Sequence, residues 1–209
     1  PSWSALISLA REETDRIVMR GAAFDSNQPD PIEAYSTTQI KTQGNRRVIT
    51  RHLRAGNRVL TSTVRRDADV NTNWTIEHLL KDVDDLRAFL DLPYPAIGGN
   101  AKTDSVIRTE NALGDSGIVM LDTPDPLCLA ASLFNMEAYT VIALTESELF
   151  HALLERFYHS LMAQTEAVAK ALPGRLWRIY GPEYASPPYL PPSMFKEYVC
   201  RYVEPMIRI

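Results

Sequence analysis

Two strand-to-helix junctions constrain this chain more than anything else in it. At the first, the apolar run Gly117–Leu121 (GIVML) is followed at once by Asp122-Thr123-Pro124-Asp125-Pro126 and then by an apolar helical stretch from Leu127 to Phe134. At the second, Leu176, Trp177, Ile179 and Tyr180 form an apolar run with one interposed arginine, closed by Pro-Gly before and Gly-Pro after. Short apolar runs bounded by turn residues read as buried strands. A polar loop, Glu183 to Pro192, follows the second run and carries Glu183, Ser186, two tyrosines and four prolines. From Ser193 onward Met194, Phe195, Tyr198, Val199, Tyr202, Val203 and Met206 recur at a helical period. Strand, polar loop, helix is the βα unit, and strands alternating with helices predict a parallel sheet. Ligands of such sheets sit beyond the carboxyl ends of the strands.

The remaining elements follow from periodicity and punctuation. Trp3, Leu6, Ile7, Leu9 and Ala10 lie at helical spacing within Trp3–Val18, with REETDR as a charged tail. Met19–Thr42 mixes Pro, Asp, Asn, Ser and Thr and reads as loop. RRVITRHL and RVLTSTV are β-branched runs flanking Arg54-Ala55-Gly56-Asn57, the signature of a hairpin. A helix is predicted over Ile76–Leu92, started by Thr75 and Glu77 and stopped by Pro93 and Pro95. A weaker one covers Thr103–Leu113 and ends at Gly114. The longest runs from Thr145 to Leu172, with Thr145 and Glu148 as a capping box and Pro173-Gly174 as its stop.

Charge is unevenly spread. The 209 residues carry a net −4, which gives no general reason for nucleic acid or an anionic membrane as partner. Yet Ala34–Arg66 holds no acid and seven arginines: Arg46, Arg47, Arg51, Arg54, Arg58, Arg65 and Arg66. A solvated hairpin face paired with carboxylates elsewhere accounts for such a block; so does a guanidinium rim facing an anionic ligand, since Arg holds carboxylate and phosphate bidentately. No aromatic residues interleave these arginines, which argues against nucleic acid. The two cysteines, Cys128 and Cys200, sit in apolar helical patterns and read as reduced core thiols of a cytoplasmic protein. No apolar run approaches the ~18 residues of a membrane span, and no spacing of His, Cys, Asp and Glu marks a metal site.

Taken in order, WTIEHLLKDVDDLRAFLDLP, ALGDSGIVMLDTPDPLCLAASLFNMEAY and SPP…PPSMFKEYV resemble the uroporphyrinogen decarboxylase superfamily, which also holds corrinoid-dependent methyltransferases. The resemblance runs from about Asn57 to the end, and the order and spacing of the segments carry it. It implies an α/β fold, part of a (β/α)8 TIM barrel with an N-terminal helix and hairpin elaboration. A full barrel takes about 250 residues, so residues 1–209 read as a single domain, the N-terminal portion of such a barrel.

The resemblance also implies chemistry. In the decarboxylases no cofactor is used: arginines and a carboxylate at the barrel mouth bind a polycarboxylated porphyrinogen, whose ring is protonated before carbon dioxide leaves. On that basis Asp122 and Glu183, each after a predicted strand, are the catalytic candidates. Asp125 is assigned mainly to capping the helix that begins at Pro126. Arg58, Arg65, Arg66, Thr123, Tyr184 and Ser186 are the substrate-binding candidates, and the partner is an anionic small molecule such as a tetrapyrrole. The methyltransferase branch instead implies zinc, a corrinoid and a corrinoid-carrying partner protein; an inactive ligand-binding barrel is the third reading, and a homodimer stays open. The chain departs from the decarboxylases in lacking their Arg-Gln-Ala-Gly-Arg run and in having Ser132 near the place of a family tyrosine.

Overall fold

The computed structural model describes residues 3–25, 30–94 and 99–209. Pro95, one of the two prolines expected to stop a helix, lies outside the described residues. The chain opens with helix α1 (Ser4–Glu13), which ends where Thr14 turns extended. Strands β1 (Arg16–Arg20) and β2 (Ala23–Asp25) follow. A 3₁₀ turn, Pro31–Tyr35, is capped by Asp30. It leads into β3 (Ser36–Gln43), β4 (Arg46–Ala55), β5 (Arg58–Asp67) and β6 (Asn73–Glu77). Next come α2 (Val83–Leu90), β7 (Asn100–Lys102), α3 (Asp104–Leu113), β8 (Gly117–Pro124), α4 (Pro126–Ser132), α5 (Met136–Thr145) and α6 (Ser147–Ala171). The last elements are β9 (Leu176–Tyr180), α7 (Pro192–Phe195), a π-helical turn over Lys196–Cys200, and α8 (Arg201–Ile207).

The strands sort into three sheets. β1, β8 and β9 form a parallel sheet with β8 in the centre; β2 pairs antiparallel with β7; β3 to β6 make an antiparallel meander. This overturns the expected (β/α)8 barrel. Among the described residues only three strands run parallel, and the residues between Ser36 and Glu77 are spent on antiparallel neighbours instead. Strand–helix alternation holds from β8 to β9, but the closed ring that the resemblance implies does not form around it. The meander follows from β-branched runs and a short turn: Gly56 supplies the positive φ of +60° that the β4–β5 reversal requires. The Thr50 and Thr63 hydroxyls meet across that hairpin at 3.4 Å.

Three element boundaries also differ from expectation. Met19–Thr42 is not one loop, because Arg16–Arg20 pairs with β8 and Ser36–Gln43 pairs with β4. The helix expected from Ile76 begins only at Val83. Asn73–Glu77 satisfies its backbone groups on β5, and Asp82 caps the helix by accepting the Asp85 N–H at 2.8 Å. Acids at Asp84 and Asp85 then stabilise its first turn. Thr145 belongs to the end of α5, where its hydroxyl bonds to the Val141 carbonyl, so the capping box with Glu148 does not form.

Two cores share α6. Its amino-terminal half supplies Phe150, Leu153 and Leu154 to the larger core, with Leu53 and Leu60 from the meander, Leu86 of α2, Leu127 of α4, Tyr139 of α5, and Tyr198 and Tyr202. Its carboxyl-terminal half supplies Val168, which with Leu172, Val119 and Leu121 of β8 and Val106 and Leu113 of α3 forms the second. At 25 residues and ~1.5 Å each, α6 is long enough to serve both. The second core covers one face of the parallel sheet. The other face is bare: Ile17, Met19, Ile118 and Leu176 are exposed on it. No helix among the described residues is long and apolar enough to cross a membrane.

Candidate functional site

Because β8 and β9 run side by side in the same direction, the loops after them emerge at the same end of the sheet. The register pairs Asp122 with Arg178 and Pro124 with Tyr180. Alternation places Asp122 and Arg178 on the bare face, in line with Ile118 and Leu176. There the Arg178 guanidinium grips Asp122 with two hydrogen bonds, 2.7 and 3.0 Å, and lies 5.3 Å from the Tyr180 ring centroid. An apolar floor thus ends in a cation, a carboxylate and a phenol.

Behind this polar end sits Asp125. It caps α4 as its sequence position suggests, with Oδ1 accepting the Cys128 N–H at 2.6 Å. Its own N–H donates to the Tyr180 carbonyl at 2.8 Å, which joins the two loops. The side chain is 0% exposed, and Oδ2 has no hydrogen-bond partner. Burial pushes the Asp125 carboxyl up to about 7, the Cys128 N–H pulls it partway down, and the charge of Glu183 raises it again. Such a group carries its proton near neutrality and can give it up. Burial and the charges of Asp125 and Glu183 also drive the Cys128 thiol up to about 11. Cys128 therefore stays a thiol and is a poor nucleophile.

Glu183 begins the second loop. Its Oε2 accepts the Gly181 N–H at 3.1 Å, and its charge is felt by both Arg178 and Asp125. Gly181 is what lets the loops approach: its φ is +118°, and a Cβ there would overlap the Cys128 Cβ and the Asp125 carboxylate. Gly181→Ala is therefore expected to cost about 2–4 kcal/mol, combining backbone strain with steric displacement of Asp125. Urea denaturation checks this; a loss under ~0.5 kcal/mol would mean that the loops do not meet this closely.

The other predicted residues divide between this place and another. Thr123 accepts the Trp177 indole N–H at 2.9 Å, and Tyr184 offers its carbonyl to the Tyr139 hydroxyl at 2.8 Å. The Ser186 hydroxyl donates to the Glu183 carbonyl. These three fix the loops in position. Arg58, Arg65 and Arg66 lie on β5 in the meander: Arg58 reaches Asp82, Asp84 and Asp85, Arg65 reaches Asp67, and Arg66 donates to Asn71. Their partners come from their own neighbourhood, whereas Asp122 takes Arg178. The cation beside the predicted carboxylates is thus Arg178, visible in the sequence only as the polar interruption of an apolar strand.

Two cavities adjoin β8 and β9. A cleft of about 290 Å³ is bounded by Phe24, Leu121, Asp122, Thr123, Gln164 and Thr165, near the lower end of small-molecule sites. A groove of about 900 Å³ between β9, α6 and α8 is walled by Trp177, Ile179, Phe195, Val203 and Met206. Its charged members Glu204 and Arg208 pair with each other, so the chemistry converges at the sheet end rather than in the larger space. Among the described residues no group of three or more His, Cys, Asp or Glu is placed to share a metal ion. A comparison of the chain with protein-family models, curated proteins and solved structures finds no match.

Proposed function

We propose that the carboxyl end of the parallel sheet is a cofactor-independent acid–base site acting on a carboxylated, ring-containing anion, with decarboxylation of the uroporphyrinogen decarboxylase kind as its reaction. The observation that carries the reading is Asp125, a buried carboxyl poised at about 7 beside Glu183, whose charge also acts on Arg178. The apolar floor of Ile118 and Leu176 suits a ring, and Arg178 suits its carboxylate, in exchange for Asp122. Asp125 lends a proton to the ring. The bond to the carboxylate then breaks, carbon dioxide leaves, and the electron pair quenches the ring cation. A solvent proton is taken up at the carbon that lost carbon dioxide, and the ring proton returns to Asp125. The ionised Asp125 and Glu183 stabilise the cationic intermediate electrostatically.

The test is incubation with a polycarboxylated porphyrinogen under reducing conditions, with products separated by mass. Loss of carboxylates is expected, slowed about 10²-fold or more in Asp125→Asn, with Arg178→Ala raising KM. Absence of product from the unaltered protein, or equal rates with Asp125→Asn, would dispose of the proposal. Binding without turnover would make the site a receptor.

A further inference from the structure

The cleft of about 290 Å³ beside β8 opens on the α6 side of the sheet, whereas Asp122 and Arg178 meet on the bare side. Nothing in the acid–base chemistry uses it. Alternation along β8 turns Leu121 and Thr123 toward α6, where Leu121 joins the core shared with Val168. From α6, Leu161, Gln164, Thr165 and Val168 face them, four positions spaced i, i+3, i+4, i+7 and therefore on one side of the helix. Ala22, Phe24 and Leu129 close the remaining sides. The carboxyl end of a parallel sheet is where open α/β folds place their ligands.

Three polar side chains interrupt these walls, and each has hydrogen-bonding capacity left over. Thr123 accepts the Trp177 indole N–H at 2.9 Å, and among the described residues its own hydroxyl proton has no acceptor. Thr165 does the reverse. Its hydroxyl donates to the Leu161 carbonyl at 2.7 Å, which leaves the oxygen lone pairs to accept. The half-buried Gln164 makes no hydrogen bond among the described residues, although its carboxamide carries both a donor and an acceptor. No lysine, arginine or histidine borders the cleft, and the Asp122 carboxylate is taken up by Arg178 on the other side.

We propose that this cleft binds a small neutral heterocycle with a cyclic-amide edge, a ring C=O beside a ring N–H. The lack of a countercharge selects against an ion, whose desolvation would go uncompensated. The apolar walls of Phe24, Leu121, Leu129, Leu161 and Val168 select an unsaturated ring over a polyol. The volume equals about ten waters at ~30 Å³ each, which limits the ligand to one ring system. An amide edge meets a carboxamide bidentately, donor to acceptor and acceptor to donor, so Gln164 reads both halves of it. Thr123 and Thr165 supply a further donor and a further acceptor. The site stands apart from the chemistry of Asp125 and does not depend on it.

Protein-observed NMR titration with α-pyridone, N-methyl-α-pyridone and inositol tests this. Saturable shifts at Thr123, Gln164 and Thr165 are expected with α-pyridone. The N-methyl compound, which has lost its N–H, should bind about tenfold more weakly, and inositol not at all. Gln164→Met keeps the volume and removes the carboxamide, so it should weaken α-pyridone about tenfold and narrow the gap between the two pyridones. Far-UV circular dichroism checks that the variant is folded. Should it unfold, the two pyridones compared on the unaltered protein carry the test by themselves. No saturable shift with α-pyridone, shifts confined to residues outside the cleft, or equal affinity for the two pyridones would each overturn the proposal. So would inositol binding as tightly as α-pyridone, or a folded Gln164→Met variant that binds α-pyridone as the parent does.

Discussion

Asp125→Asn is expected to stabilise the protein above neutral pH while removing its acid–base activity. In the unfolded chain this carboxyl ionises near its ordinary 3.8; in the folded protein it holds its proton up to about 7. A raised carboxyl pKa contributes stability that is complete below about pH 4 and is lost as the pH rises through 7. At 1.36 kcal/mol for each pH unit between the two values, the loss amounts to at most about 4 kcal/mol by pH 8. Asparagine caps a helix about as well as aspartate and cannot ionise, so the bond to the Cys128 N–H survives. Urea denaturation at pH 5 and pH 8 should show the variant gaining on the parent as the pH rises. Parallel curves for the two proteins would mean that Asp125 is not held neutral by burial, and the proton donor of the proposed reaction would be lost with it.

The second large effect is expected at Arg156, the only arginine among the buried residues described, at 1% exposure. It projects from α6 beneath the end of α2, where Nη1 donates to the Leu92 carbonyl at 2.9 Å and Nη2 to the Pro93 carbonyl. Its guanidinium lies 5.0 Å from the Phe89 ring centroid and 4.8 Å from that of Tyr94. Burial lowers its pKa, and Tyr94 and the charge of Asp30 oppose that shift. Arg156→Met fills much of the volume but leaves both carbonyls without a donor, at about 1–3 kcal/mol each. A loss of about 3 kcal/mol follows, a fall in Tm of roughly 6–12 °C for a chain of this size. Arg156→Lys reaches one carbonyl and should recover part of it. A methionine variant melting with the parent would show that those carbonyls find water instead.

Much of this architecture was legible in the residues, and the reason differs from element to element. β8 and β9 declared themselves because apolar runs closed by Gly and Pro leave few alternatives, and their loops do meet, through the Asp125 N–H and the Tyr180 carbonyl. The β4–β5 hairpin was equally plain from its Gly-Asn turn and β-branched flanks. What could not be read was neighbourhood. β1 resembles the tail of a charged helix until its five residues are seen against Gly117–Leu121. The partners of Arg58 lie 24 to 27 positions away, so the residues alone leave open whether the arginine block is a paired hairpin face or a rim for an anion, and the carboxylates beside Arg58 and Arg65 favour the first. Asp125 was hidden for another reason. Its capping role sufficed to explain its position, and burial, which gives a carboxyl its second capacity, is a property of the surroundings that no local pattern records.

The pairing of Arg16–Arg20 with Gly117–Leu121 has a kinetic corollary. About a hundred positions intervene, and the entropy of closing a loop rises with its length, so this ladder competes poorly with the nearest-neighbour reversals of Ser36–Glu77. Pulse-labelling of amide hydrogens during refolding should find Val48–Val64 shielded early and Ile17–Met19 last. The segment that completes the three-stranded layer would then be the final piece to arrive, and the first to leave when the protein is stressed.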